Sequence, residues 1–337
     1  MKRAVIRGTG RAVPSRLVTN ADLSEMMDTT DGWIQERTGI KQRYWVQEGE
    51  ILGASDLGLE ASHKALEKAG WKPEDIDLII FATLSPDIFF PGSGCLLQTK
   101  LGLSSIPALD IRQQCTGFLY SLVTADAYIR SGLAGKILVV GAEIHSTGLD
   151  KTTRGRDVAV LFGDGAGAVC VEGVETGTDM GVLASVLHAD GSGAGALMTE
   201  LPASRLPNRI PLDLKGEEVA RYYPVMNGKS VFKTAVRKLP QVTREVLEKA
   251  ALDIQDVDMI FPHQANLRIN QAYQQYMKID EGRIFNNIDR YGNTTAASIP
   301  IALDEALEQN IVGRNGETIL FVAFGAGYTW GAVLYRF

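Results

Sequence analysis

The chain has 337 residues, 45% of them hydrophobic, and a formal charge of −6. That is ample apolar sequence for a large core or for two fused halves of ordinary domain size, and the acidic balance argues against a general nucleic-acid binder. Three cysteines, at 95, 115 and 170, with no CxxC pair and no His-rich cluster, argue against a disulfide framework or a structural zinc site. The first residues, Met1-Lys2-Arg3-Ala4-Val5-Ile6-Arg7-Gly8, turn glycine-rich and polar too soon for a signal peptide, and no apolar run is long enough to span a bilayer. The expected setting is the reducing cytoplasm.

In chain order, residues 4–6 predict a short strand ended by Gly8-Thr9-Gly10. Asp31-Gly32-Trp33-Ile34-Gln35-Glu36-Arg37 follows, and on a helix Trp33 and Arg37 share a face. An indole and a guanidinium can sandwich a planar ring, although spacing alone favours a surface helix with one packed Trp. Residues 54–69 read as an amphipathic helix closed by Gly70, and 77–81 as a buried strand. The loop Ser85-Pro86-Asp87-Ile88-Phe89-Phe90-Pro91-Gly92 carries two aromatics, which either meet a partner subunit or an apolar ligand, or fold back onto their own core.

A strand over 106–111 runs into Gln113-Gln114-Cys115-Thr116-Gly117-Phe118, and a helix over 118–129 runs out of it. Cys115 therefore stands at the tip of a strand-to-helix turn. Free helix amides and the helix dipole favour a thiolate there. The plainer reading is one more buried small residue. Residues 136–141 predict another strand, and Phe162-Gly163-Asp164-Gly165-Ala166-Gly167-Ala168 opens a further one. Those glycines are not a dinucleotide fingerprint, because no helix pattern follows them.

The second half repeats the first. Leu247-Glu248-Lys249-Ala250 and Asp256-Val257-Asp258-Met259-Ile260-Phe261 stand at the same offset from Leu66-Glu67-Lys68-Ala69 and Asp75-Ile76-Asp77-Leu78-Ile79-Ile80. Phe324-Gly325-Ala326-Gly327 echoes Phe162-Gly163-Asp164-Gly165. This pattern predicts an internally duplicated α/β fold with mostly parallel sheets covered on both faces. The halves are 1–175 and 176–337, with the boundary near 173–181, and 189–228 is an irregular, functional or disordered segment. His263, in Pro262-His263-Gln264-Ala265-Asn266, lies just past a strand end, where open α/β sheets place ligands; its counterpart at the duplication offset is Ala82. Asn293, in Tyr291-Gly292-Asn293-Thr294-Thr295-Ala296-Ala297-Ser298, opens a helix over 299–308 and is either a turn residue or a functional one. If the halves pair about a pseudo-twofold, Cys115, His263 and Asn293 meet in one pocket.

Over essentially its whole length the chain resembles a β-ketoacyl-[acyl-carrier-protein] synthase III of the thiolase superfamily. The resemblance is carried by Asp31-Gly32-Trp33-Ile34 with Arg37-Thr38-Gly39-Ile40, Cys115-Thr116-Gly117-Phe118, Phe162-Gly163-Asp164-Gly165-Ala166-Gly167, His263-Gln264-Ala265-Asn266-Leu267-Arg268, Gly292-Asn293-Thr294 and Phe324-Gly325-Ala326-Gly327. It implies a five-layered αβαβα thiolase-like fold and a homodimer. It implies a Cys-His-Asn triad of Cys115, His263 and Asn293, with the amides of Cys115 and Ala326 as oxyanion hole. Trp33, Arg37 and Arg156 would surround the adenine of coenzyme A. Gln264, Arg268 and Lys233, with Lys278 as a further candidate, would meet an acyl carrier protein, and Phe90 and Phe324 would bound the acyl tunnel. No cofactor is implied, because acyl-CoA and malonyl-[acyl-carrier protein] are substrates.

The sequence departs from the usual pattern at Gln113 and Gln114, where small residues are typical, at Ala326, where Gly is common, and after Arg268, where a basic pair is missing. The expected activity is decarboxylative condensation of an acyl primer with a malonyl thioester. A relative that condenses or transfers longer acyl thioesters in secondary metabolism is the alternative. A non-catalytic partner subunit is disfavoured by the intact triad.

Overall fold

The computed structural model describes residues 2–175, 177 and 179–337. Its strands form two main sheets. The first has the order Lys2–Ala12, Gly165–Glu175, Lys136–Glu143, Leu78–Ala82, Ala108–Ile111, and the second Met259–Pro262, Thr318–Gly325, Thr329–Arg336, Gly181–Ala189. The first sheet is drawn wholly from one side of the expected boundary and the second from the other. The dividing residue, Thr176, lies outside the described residues.

The predicted parallel character is corrected. Leu78–Ala82 is parallel to both neighbours and Met259–Pro262 to one, but the remaining pairings in both sheets are antiparallel. Thr318–Gly325 and Thr329–Arg336 are joined by a turn too short for anything but an antiparallel return.

The buried strands alternate faces. Leu78 and Ile80 point into the cluster between the sheets, while Ile79 and Phe81 point outward. Between the sheets lie the helices Gly117–Ser131 and Ser298–Glu308, whose Phe118, Leu122, Ile299 and Leu303 pack with Val139 of one sheet and Phe321 of the other. The helix Ala54–Ala69 covers the outer face of the first sheet, and Gly228–Ala250 with Leu267–Met277 covers that of the second. The result is five layers, αβαβα.

The first strand does not end at Gly8 but runs through it to Ala12. A Cβ on Gly8 would lie 2.3 Å from the Ala65 carbonyl oxygen, so glycine serves the close approach of the helix Ala54–Ala69 rather than ending the strand. Segment 189–228 is irregular, apart from short 3₁₀ turns and the two-residue pairing of Leu197–Met198 with Val225–Met226. Among the described residues, no helix is long and apolar enough to cross a membrane.

Candidate active site

Cys115 sits in a single 3₁₀ turn, Gln114–Thr116, between the strand Ala108–Ile111 and the helix Gly117–Ser131. The preceding Gln114 adopts φ +44°, a left-handed conformation that sharpens the turn. The sulfur is buried against the Phe324–Gly327 loop. A Cβ on Gly325 would lie 2.5 Å from Cys115 Cβ and 3.0 Å from Sγ, so only glycine fits beside the thiol.

Burial pushes the Cys115 thiol up to about 12, and the negative charge of Glu143 adds to the effect; hydrogen bonds from the backbone amides of Ala326 and of Cys115 itself act in the opposite direction. The resting group is therefore a neutral thiol, contrary to the thiolate expected from the helix terminus. Desolvation outweighs the dipole because the turn is walled in by the second half. The same two amides, Cys115 and Ala326, are both directed at the sulfur. Glu143 is itself fully buried, accepts hydrogen bonds from Thr83, Leu84 and Ser85, and is held up to about 7 by burial.

His263 follows the strand Met259–Pro262, its amide donating to the Val322 carbonyl at 2.8 Å. Its Nδ1 lies 2.6 Å from Ser298 Oγ. Its Nε2 is buried with no hydrogen-bond partner among the described residues. Burial pulls the imidazole down to about 3, so it is neutral. Asn293 is fixed through its backbone, donating to Leu161 O at 2.8 Å and accepting from Gly163 N at 3.1 Å. Its Oδ1 accepts from Thr295 N at 2.9 Å.

Cys115, His263 and Asn293 line one cavity of about 740 Å³, together with Trp33, Arg37, Phe162, Lys233, Arg268 and Phe324. The cavity thus joins a buried thiol, two hydrogen-bonding side chains, and a basic, aromatic mouth.

At that mouth the guanidinium carbons of Arg37 and Arg156 lie 4.6 and 4.9 Å from the Trp33 ring centroid. The helix Asp31–Thr38 brings Trp33 and Arg37 onto one face, as their spacing predicted, and Arg156 is anchored by donating to the Asp28 carbonyl at 2.5 Å. Arg268 and Lys233 are exposed on the rim. Lys278 caps the far end of Leu267–Met277, roughly 15 Å from Arg268 along the helix.

Gln264 is a correction. It is 1% exposed, its Nε2 donates to the carbonyls of Pro262 and Phe285, and its Oε1 accepts from the amides of Asn287 and Ile288. With its amide so occupied it staples the 285–288 segment beneath His263 and cannot reach a docked protein. Phe324 lines the cavity and packs on Tyr328 at 4.9 Å. Phe90 is 76% exposed and is not among the residues lining this chain's own cavity.

Sequence reasoning gave no role to Ser298, Thr295, Glu143 or His145. Ser298 was visible only as the last residue of the loop before the helix predicted over 299–308; its bond to His263 spans 35 residues and needs the fold.

Residues 109–191 match the family described as 3-oxoacyl-[acyl-carrier-protein (ACP)] synthase III, and residues 247–337 match its C-terminal part. A β-ketoacyl-[acyl-carrier-protein] synthase III of Caldanaerobacter subterraneus subsp. tengcongensis is 44% identical over 98% of this chain and 96% of its own. The crystal structure of 3-oxoacyl-[acyl-carrier-protein] synthase III from Aquifex aeolicus VF5 superposes with a TM-score of 0.88 at 41% identity, covering 100% of both chains. The priming β-ketosynthase from the R1128 polyketide biosynthetic pathway superposes with a TM-score of 0.88 at 31% identity, covering 99% of this chain and 96% of that one. With such identity over nearly its full length, and with matches to both parts of the family pattern, the chain belongs to the β-ketoacyl-[acyl-carrier-protein] synthase III family.

Proposed function

We propose that the chain condenses an acyl primer, delivered as acyl-CoA, with a malonyl thioester on an acyl carrier protein, with loss of carbon dioxide. The observation that carries this reading is the buried Cys115 thiol in one cavity with the unpartnered Nε2 of His263 and an Asn293 amide whose Oδ1 is already engaged.

In the first half-reaction Cys115 loses its proton and attacks the acyl thioester carbonyl. The neutral His263 imidazole, whose Nε2 has no partner among the described residues and which lines the same cavity, is the group placed to take that proton. The amides of Cys115 and Ala326 hold the oxyanion, and the C–S bond to coenzyme A breaks. Coenzyme A leaves as its thiol with the proton His263 had taken, the acyl group stays on sulfur, and the neutral imidazole turns to its Nε2–H tautomer for the next step. In the second half-reaction His263 Nε2–H and Asn293 Nδ2–H donate to the malonyl thioester oxygen. The carboxylate departs as carbon dioxide, and the electron pair it leaves forms an enolate held by those donors. The enolate carbon attacks the acyl-Cys carbonyl, the carbon–sulfur bond to Cys115 breaks, and the released Cys115 thiolate takes up a proton from solvent. Ser298 supports both steps, because its hydroxyl can either donate to or accept from His263 Nδ1 and so tolerates either imidazole tautomer.

Trp33, Arg37 and Arg156 are assigned to the adenine of coenzyme A, and Arg268 with Lys233 to the carrier protein. The enzyme needs no cofactor in this reading, works in the cytoplasm and is a homodimer whose Phe90 loop closes the partner's acyl tunnel. A second reading, a priming enzyme of a specialised pathway, draws on Gln113 and Gln114 before the cysteine and on a helix Leu267–Met277 whose only basic residue is Arg268.

Intact mass spectrometry after incubation with acyl-CoAs of graded length tests the proposal. One acyl mass per chain on the Cys115 peptide, discharged by malonyl-[acyl-carrier protein], is expected. Labelling at Cys95 or Cys170, or an acyl-enzyme that no malonyl thioester discharges, overturns it. A preference for long primers moves the assignment to the second reading.

A further inference from the structure

His145 is buried against Phe162, a residue that lines this cavity, and the chemistry above makes no use of it. It is 8% exposed and lies just past the strand Lys136–Glu143. Its backbone amide donates to Asp164 Oδ1 at 2.7 Å, so its position is fixed independently of its ring. The ring has two partners. Its centroid lies 4.6 Å from that of Phe162, tilted by 43°, and its Nε2 is 2.8 Å from Thr295 Oγ1.

Both partners belong to the site. Phe162 lines the cavity with Cys115, and its backbone is held by a bond from Trp45 Nε1 to its carbonyl at 2.9 Å. With the backbone pinned, the space behind the ring decides how far the phenyl group can retreat from an acyl chain. The His145 ring packs against the phenyl group and limits that movement on its side. Thr295 belongs to the turn whose amide engages Asn293 Oδ1 at 2.9 Å. Phe162 and Asn293 are also neighbours through an isolated parallel bridge. One imidazole therefore touches a residue of the cavity wall and the loop of the proposed decarboxylating donor. Burial keeps it neutral, holding it down to about 3, so it offers a fixed hydrogen bond rather than a charge.

We propose that His145 is a positioning residue that sets the primer-length limit through its ring against Phe162 and steadies Asn293 through its bond to Thr295. The inference rests on the acyl-transfer reading given above. Primer selection and decarboxylation then share one support but use different parts of it, the ring for one and the ring nitrogen for the other.

Three variants separate those parts. His145→Ala removes ring and nitrogen, His145→Phe keeps a ring without the nitrogen, and His145→Gln keeps a hydrogen-bonding end without the ring. Each is incubated with acetyl-CoA through dodecanoyl-CoA and read by intact mass, and each is assayed for carbon dioxide release from malonyl thioester. His145→Ala should shift the preference between primers two carbons apart at least about tenfold toward the longer, the low end of what a methylene is worth in an apolar pocket. His145→Phe should keep the parent's length profile and lose about tenfold in decarboxylation. His145→Gln should regain decarboxylation without regaining the length limit. A folded His145→Ala protein with the parent's length profile overturns the proposal, and so does a His145→Phe protein that changes the profile while decarboxylating normally. If the parent itself takes up no acyl group, the acyl-transfer reading fails and this proposal with it. If the parent is acylated and the three variants match it, only this proposal fails.

Discussion

His263 and Ser298 meet through a 2.6 Å contact between Nδ1 and Oγ, and their counterparts at the duplication offset, Ala82 and Gly117, meet as well. A Cβ on Gly117 would come within 3.0 Å of the Ala82 Cβ. The same strand-end to helix-start contact is apolar and tight in the first half and polar in the second. The turns agree in backbone too: Gln114 and Thr295 hold φ +44° and +48°, one residue before Cys115 and Ala296 respectively. A left-handed β-branched residue such as Thr295 costs roughly 1–3 kcal/mol, so this turn is held by its surroundings. Duplication thus supplied two equivalent elbows; one carries Cys115 and the other the groups that contact His263 and Asn293.

Ser298→Ala should therefore reduce condensation roughly tenfold without loss of fold, because His263 keeps its backbone bond to Val322 but loses the partner that fixes its ring. Steady-state rates beside thermal melts check this. Unchanged turnover would mean that the hydroxyl only fills space.

Gly325→Ala should abolish acylation, since the new methyl would meet Cys115 Cβ at 2.5 Å and must displace either the sulfur or the Ala326 amide. Acyl-enzyme yield measured by mass is the readout. A variant acylated at the parent rate would show that the loop can move aside at little cost.

Alkylation of Cys115 in the free enzyme should rise about tenfold per pH unit from 7 to 10 with no plateau, because its thiol is held near 12 and is almost wholly protonated throughout that range. Stability should fall on the acid side. His145 and His263 are held neutral down to about 3, so the stability they contribute is full above 6.5 and is lost as the pH drops from 6.5 toward 3. Glu143, raised to about 7, works oppositely and gains as the pH drops from 7 to 4.5, offsetting one imidazole in that interval. Urea unfolding at pH 7, 5.5 and 4 should therefore show an acid loss that His145→Phe makes shallower.

Phe89 and Phe90 are 55% and 76% exposed, and Arg209 of the irregular segment lies 4.0 Å over the Phe89 ring. In the proposed dimer these rings are covered. Sedimentation at micromolar concentration should give twice the chain mass, and Phe90→Ala should alter primer preference while changing the monomer's own packing little. A monomer in sedimentation removes the partner-tunnel role.

Much of this site was legible in the sequence because its parts are local. Cys115 stands at a strand-to-helix turn, Trp33 and Arg37 are four apart, and His263 follows a duplicated strand at a position where the first half has Ala82. What was not legible depends on tertiary packing. The neutral state of Cys115 comes from burial against a loop more than 200 positions away, which no helix-terminus argument sees. Gln264 adjoins His263 in a polar motif and reads as a surface contact, yet its side chain turns inward to satisfy four backbone groups that close on it only after folding. Gly8 reads as a strand end but marks a helix crossing.

The central claim is a division of labour, with Cys115 carrying the acyl group and Asn293 aimed at the malonyl thioester. Rapid-quench measurement of acyl-enzyme and of carbon dioxide release in Asn293→Ala tests it most directly. Removing one such donor commonly costs about 2.7–4 kcal/mol of transition-state stabilisation. Acylation of Cys115 should proceed near the parent rate while carbon dioxide release falls roughly 10²–10³-fold. Release at the parent rate would contradict the account and leave plain acyl transfer as the chemistry of this cavity.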